Sequence, residues 1–153
     1  MALYDTLLAD LKESMKAREE RRTLVLRSLK SGILEKEITN RTGGERSEIT
    51  DELVLEVITK AAKQRRDSLE QYRNAGRADL AEVEEQELAI IEAYLPKQLT
   101  KDEIEAIVSE VIAQTGASGM KDMGKVMGQL MPKVKGKADG KLVNTVVKEK
   151  LAP

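Results

Sequence analysis

The sequence contains no cysteine and no histidine. Without cysteine there is no disulfide, no thiolate nucleophile and no thiolate-bound zinc. Without histidine, the commonest general base and the commonest metal ligand are both missing. Phenylalanine and tryptophan are absent too, and the aromatic side chains are Tyr4, Tyr72 and Tyr94. A single-stranded nucleic acid therefore finds no stacking platform. No apolar run approaches the ~20 residues of a membrane span. The opening segment MALYDTLLADLKESMK carries acids among its leucines, unlike a signal peptide. These absences lead to the expectation of a cytoplasmic protein with no membrane partner, no metal and no cofactor.

What remains suits helices. The 153 residues are 41% hydrophobic and 35% charged, so the core must be Leu, Ile, Val, Met and Ala, under extensively solvated outer faces. This length fits one compact domain or two small subdomains. The net charge is −1, so any attraction to nucleic acid has to come from a local patch.

Leu3, Leu7, Leu11 and Met15 recur every fourth residue and mark a first helix. After a charged knot at Arg18–Arg22, a second pattern uses Leu26, Leu29, Ile33 and Ile38. The segment Asn40-Arg41-Thr42-Gly43-Gly44 breaks it as a loop. Thr50 reads as the N-cap of a long third helix carried by Val54, Ile58, Ala61, Ala62, Arg65, Leu69 and Tyr72. Asn74-Ala75-Gly76 ends that helix, and a fourth runs from about Ala78 with Leu80, Val83, Leu88, Ile91 and Tyr94. The short connection predicts an antiparallel hairpin. Its basic third helix and acidic fourth helix neutralise each other.

Pro96 stops the fourth helix, and Leu95-Pro96-Lys97-Gln98-Leu99 reads as a hinge. Thr100 to Glu103 forms a capping box for a fifth helix burying Ile104, Ile107, Val108, Val111 and Ile112, closed by Gly116. Two short helices follow, at about Met120–Met131 and Gly140–Leu151. The expected fold is all-α and multihelical. An elongated N-terminal subdomain with a long helical hairpin, residues 1–96, precedes a small C-terminal three-helix subdomain, residues 97–153.

Chemistry is scarce. Gly119-Met120-Lys121-Asp122-Met123-Gly124-Lys125-Val126 imitates a P-loop but ends in Val126 where a magnesium-binding hydroxyl belongs, and it follows a helix rather than a strand. Ser118 and Lys121 could form a Ser/Lys nucleophile pair, yet nothing marks an oxyanion hole, and Ser118 serves equally as an N-cap. As a helix, the stretch sets Met120, Met123, Met127 and Leu130 on one face, read as core. Gly124 and Gly128 fall four apart as a bare ridge beside Lys121 and Lys125. Each helical glycine costs about 0.5–1 kcal/mol relative to alanine. Close approach of a neighbouring helix or of a phosphate backbone would explain that cost. Lys133, Lys135, Lys137, Gly140 and Lys141 extend the patch, and residues 120–150 hold eight lysines against three acids. A glycine-containing loop entering a helix N-terminus suits a phosphate; a solvated lysine loop is the plain alternative.

Six stretches, in order, carry a family likeness: Leu29 to Glu35, Lys63-Gln64-Arg65-Arg66-Asp67-Ser68, Gly76-Arg77-Ala78-Asp79-Leu80, Tyr94-Leu95-Pro96-Lys97-Gln98-Leu99, Met123-Gly124-Lys125-Val126-Met127-Gly128 and Gly136-Lys137-Ala138-Asp139-Gly140. Through them the chain resembles the YqeY family over nearly its whole length. That family shares its domain with the C-terminal part of the B subunit of glutamine-dependent aspartyl/glutamyl-tRNA amidotransferases. The resemblance implies a two-part helical fold whose smaller part engages the outer corner of tRNA. It also attaches a carbon–nitrogen ligase label with glutamine as amido donor, although this chain lacks the catalytic bodies of that enzyme. The leading expectation is a non-catalytic tRNA-binding accessory module with an aminoacyl-tRNA synthetase or amidotransferase partner. Its RNA contacts are assigned to Lys121, Gly124, Lys125, Gly128, Lys133, Lys135, Lys137, Gly140 and Lys141. The alternative is a helical protein–protein adaptor using the N-terminal hairpin, which requires an exposed apolar strip on the first three helices.

Overall fold

The computed structural model describes residues 2–153. It is all-α: α1 (Leu3–Lys16), α2 (Glu20–Thr39), α3 (Asp51–Asn74), α4 (Ala78–Glu92), α5 (Lys101–Thr115), a 3-10 turn (Met120–Asp122), α6 (Met123–Val134) and α7 (Gly140–Leu151). The described residues contain no strand, only an isolated bridge between Thr42 and Glu45. No helix among them is long and apolar enough to cross a membrane. The chain divides into two compact units, Met1–Leu95 and Pro96–Pro153.

In the first unit the fourfold spacing of α1 buries Leu7 and Leu11, but the stripe stops there because Met15 is exposed. Ser14 is buried instead. Its hydroxyl donates to the Leu11 carbonyl at 2.8 Å and shares a 2.9 Å hydrogen bond with Thr23 Oγ1, linking α1 to α2 around the corner. Helix α2 contributes Val25, Leu26, Leu29 and Ile33 to the core, whereas Ile38, read from sequence as part of that stripe, is exposed. Part of the charged knot falls within the helix, since α2 begins at Glu20. The loop after α2 is anchored by buried Glu37. This carboxylate accepts from Arg41 Nη2 at 2.8 Å and from the Ser47 N–H at 2.9 Å, and the Arg41 bond leads in holding it below the usual carboxylate range.

Thr50 caps α3 by accepting from the Leu53 N–H at 3.1 Å. Helices α3 and α4 form the expected hairpin. Gly76, at φ 70°, turns the chain, with Arg77 N–H donating to the Tyr72 carbonyl and Gly76 N–H to that of Arg73. This is a Schellman arrangement, and it needs a residue that tolerates the left-handed region. Charge neutralisation across the hairpin is real: Arg65 lies 2.8 Å from Glu87, Arg66 3.0 Å from Glu92 and Arg73 3.6 Å from Glu85.

The second unit packs α5, α6 and α7 around Ile104, Val108, Val111, Val126, Leu130, Val134, Val143, Val146, Val147 and Leu151. Thr100 caps α5 through the Glu103 N–H at 3.2 Å, and Gly116 at φ 68° ends it.

Candidate nucleic-acid interface

Helix α6 turns inward a face that overlaps the one its methionines predict. Val126, Leu130 and Val134, spaced by four, are buried, while Met123 and Met127 pack at the margin. Met120 is 45% exposed and sits in the 3-10 turn. The methionine-face reading holds in part: Leu130 is enclosed and Met123 and Met127 pack against the core beside Val126 and Val134, whereas Met120 lies outside it.

The opposite face follows from this. Gly124, Gly128 and Pro132 also recur by four, and all are exposed. A Cβ built on Gly124 or Gly128 meets no atom within 4 Å. Among the described residues no helix of the second unit packs against either position, so packing within that unit does not explain the two glycines. Pro132, inside α6, has no N–H to give the carbonyl four residues earlier, which is that of Gly128. The two glycines leave this face bare of side chains, and the Pro132 ring ends it beside an acceptor that α6 leaves without its usual donor. Sequence reading found the two glycines but not Pro132. The repeat of four from Gly124 through Gly128 to Pro132 was the available signal.

The lysines surround this ridge in sequence. Lys121, Lys125, Lys133, Lys135, Lys137 and Lys141 are all exposed. Among the described residues, Lys121, Lys125, Lys133, Lys135 and Lys137 form no ion pair within 4 Å. Asp122 sits between the first two. Its carboxylate accepts from the Ser118 N–H at 3.0 Å, and that bond, with Lys121 and Lys125 nearby, holds it below the ordinary carboxylate value. Ser118 contributes its N–H here rather than capping α6 with its side chain.

The loop after α6 is fixed rather than slack. Gly136 adopts φ 76°, its carbonyl accepts from Gln98 Nε2 at 3.0 Å, and the Lys137 carbonyl accepts from the Leu99 N–H at 2.7 Å. These bonds occupy the carbonyls of Gly136 and Lys137 while the lysine side chains of the loop remain exposed. Gln98, read from sequence only as part of the hinge and of the family likeness, is here the residue that positions the loop. At the start of α7, Asp139 caps the helix by accepting from the Lys141 N–H at 3.1 Å. The dipole end at Gly140 therefore already faces a carboxylate, and the anion-attracting power of the region rests on its lysines. The described residues hold no cluster of acids suited to a metal ion.

Comparison with known proteins supplies the remaining observation. The model of the YqeY family, described as "Yqey-like protein", matches residues 4–151. "Altered inheritance of mitochondria protein 41, mitochondrial" from Pyrenophora tritici-repentis is 30% identical over 146 residues, 94% of this chain and 77% of the relative. The protein of the same name from Lachancea thermotolerans is 36% identical over 111 residues, 71% of this chain and 57% of the relative. A glutamyl-tRNA(Gln) amidotransferase component from Thermococcus gammatolerans is 46% identical over 57 residues, 35% of this chain but 9% of that much longer protein.

Proposed function

Because the chain belongs to the YqeY family, we propose that it is a non-catalytic accessory module that binds structured RNA, and tRNA in particular. In this reading it works beside an aminoacyl-tRNA synthetase or an amidotransferase and supplies binding rather than chemistry. The observation that carries it is the bare Gly124–Gly128 ridge, ended by Pro132, among the exposed side chains of Lys121, Lys125, Lys133, Lys135 and Lys137. Structured RNA is recognised through phosphates and ribose 2′-hydroxyls. Lysines meet the first, and the Gly128 carbonyl accepts from the second. The choice of tRNA is supported by the 46% identity to part of a protein named for a tRNA amidotransferase. Its site of action is a compartment that holds tRNA. The sequence favours the cytoplasm, while the fungal relatives are named as mitochondrial.

A titration with bulk tRNA at two salt concentrations tests this. About five neutralised phosphates give a loss of roughly 10²–10³-fold between 50 and 200 mM salt. Binding that ignores salt, or that prefers an unstructured oligonucleotide, overturns the reading. The adaptor alternative keeps one observation in its favour, an exposed apolar strip on α2 at Leu24, Leu34 and Ile38.

A further inference from the structure

Helix α2 is apolar on two opposite sides. One side, with Val25, Leu26, Leu29 and Ile33, is the core of the first unit. On the other, Leu24 is 65% exposed, Ile38 57% and Leu34 37%. The intervening positions on that side, Arg27, Ser28, Ser31 and Glu35, are exposed as well. Together they make a seam with the three-and-four spacing of helix pairing, about 21 Å long at 1.5 Å per residue.

The seam reads in a complementary way when reversed. Turned about Ser31, Leu24 meets Ile38, Ser28 meets Leu34, Arg27 meets Glu35, and Ser31 meets itself. Neither Arg27 nor Glu35 has an ion-pair partner among the described residues. The small serines at the centre let two helices approach closely. At one end, a 500 Å³ depression offers a seat with Met15 and Leu24 on its apolar side and Arg18, Glu20 and Arg27 on its rim. We propose that this face of α2 pairs antiparallel with the same face of a second copy, across a two-fold axis at Ser31. Each Arg27 then faces the Glu35 of the other chain, and each Ile38 enters the seat beside Met15 and Leu24. The contact is isologous, as a two-fold dimer requires. A different partner would need an apolar–basic–small–acidic–apolar order in reverse, which the chain itself supplies.

Sedimentation velocity of the full chain is the test. One helix face buries less than about 1,200 Å² in total, so the dimer is weak, with Kd on the order of 10–100 µM. Arg27→Glu alone puts Glu against Glu at both ends and weakens the dimer by about 10-fold or more, and Glu35→Arg does the same with arginines. Both substitutions in one chain restore opposite charges and return Kd to within about 3-fold of the parent, a recovery that only a reversed, two-fold pairing gives. Ser31→Cys provides a second measurement, since the chain has no other cysteine. Oxidation yields a covalent dimer, whereas Ser109→Cys, exposed on α5, does not. A parent chain that stays monomeric throughout overturns the proposal, including one whose α2 face binds another protein. So do single variants that dimerise normally, a double variant that fails to recover, or equal cross-linking at positions 31 and 109.

Discussion

The two units spend their positive charge differently. The first contains every arginine of the protein, since none follows Arg77, and the second is basic only through lysine. Among the described residues, the first unit's ion pairs use arginine almost throughout, as in Arg65 with Glu87, Arg66 with Glu92 and Arg41 with Glu37, while Lys36 with Glu56 is an exception. In the second unit, Lys101 stands 4.0 Å from Glu149, a long and exposed contact. A guanidinium fork fits carboxylates in fixed geometry, whereas an ammonium is a strongly hydrated point charge on a flexible stem. Arginine here ties helices together; Lys121, Lys125, Lys133, Lys135 and Lys137 stay in water and keep their charge available. Each unit has its own aliphatic core, so the second does not need its lysines to fold.

That division can be broken from either side by the same chemical change. Replacing Lys133, Lys135 and Lys137 with Glu reverses three exposed charges. We expect tRNA affinity to fall about 10³-fold, to near the detection limit. Exposed substitutions of this kind shift stability by no more than about 0.5 kcal/mol each, so melting moves by only a few degrees. Arg66→Glu, beside Glu92 in the hairpin, gives the reverse: earlier melting with tRNA affinity within about 2-fold. Normal binding by the triple lysine variant reduces the patch to solvated surface.

Much of the fold was legible because its signals are local. Thr50 and Thr100 announce helix starts by their side chains, Gly76 and Gly116 announce ends by a backbone conformation few other residues adopt, and fourfold spacing marks most of each helix. Legibility failed where two stripes compete on one helix. On α6, Met123–Met127 and Val126–Leu130–Val134 lie on overlapping faces, and only packing against α5 and α7 encloses the second more fully than the first. On α2, Ile38 shares the helix with the core stripe but lies on the opposite side. The lysines of the candidate interface could be read off directly. The tether from Gln98 to Gly136 could not, because it joins positions 38 apart.

A smaller effect sharpens the comparison within α6 itself. Nothing stands within 4 Å of a Cβ at Gly124 or Gly128, and both lie inside the helix. Gly124→Ala and Gly128→Ala should therefore each stabilise the protein by about 0.5–1 kcal/mol, by restricting the unfolded chain. If the bare ridge meets RNA, the same substitutions weaken tRNA binding several-fold, so stability and affinity move in opposite directions. Denaturant unfolding and titration of the same two samples read both. Gains in stability with unchanged affinity take the ridge out of the interface and leave the lysines to act alone.

The smallest effect concerns whether every charge in the arginine-rich unit is useful. Glu84 Oε2 is buried in the α3–α4 hairpin without a hydrogen bond from the protein, and Arg65 Nε is 3.7 Å away, lying closer to Glu87 at 2.8 Å. Burial pushes the Glu84 carboxyl above its ordinary value of 4.5, against the pull of Arg65. A raised carboxyl binds its proton more tightly in the folded state, so stability falls as pH rises from the ordinary value through the raised one. Arg77-bonded Asp79 and Arg41-bonded Glu37 are held low instead, and their contributions disappear as pH falls through the folded values. Glu84→Gln removes the buried charge and leaves Arg65 with Glu87. It should be neutral or stabilising by up to about 1 kcal/mol at pH 7, with the gain shrinking toward pH 4. Urea unfolding at the two pH values measures it. A loss of more than about 1 kcal/mol at pH 7 would mean that attraction to Arg65 outweighs the desolvation of Glu84, and that the hairpin uses this charge as well.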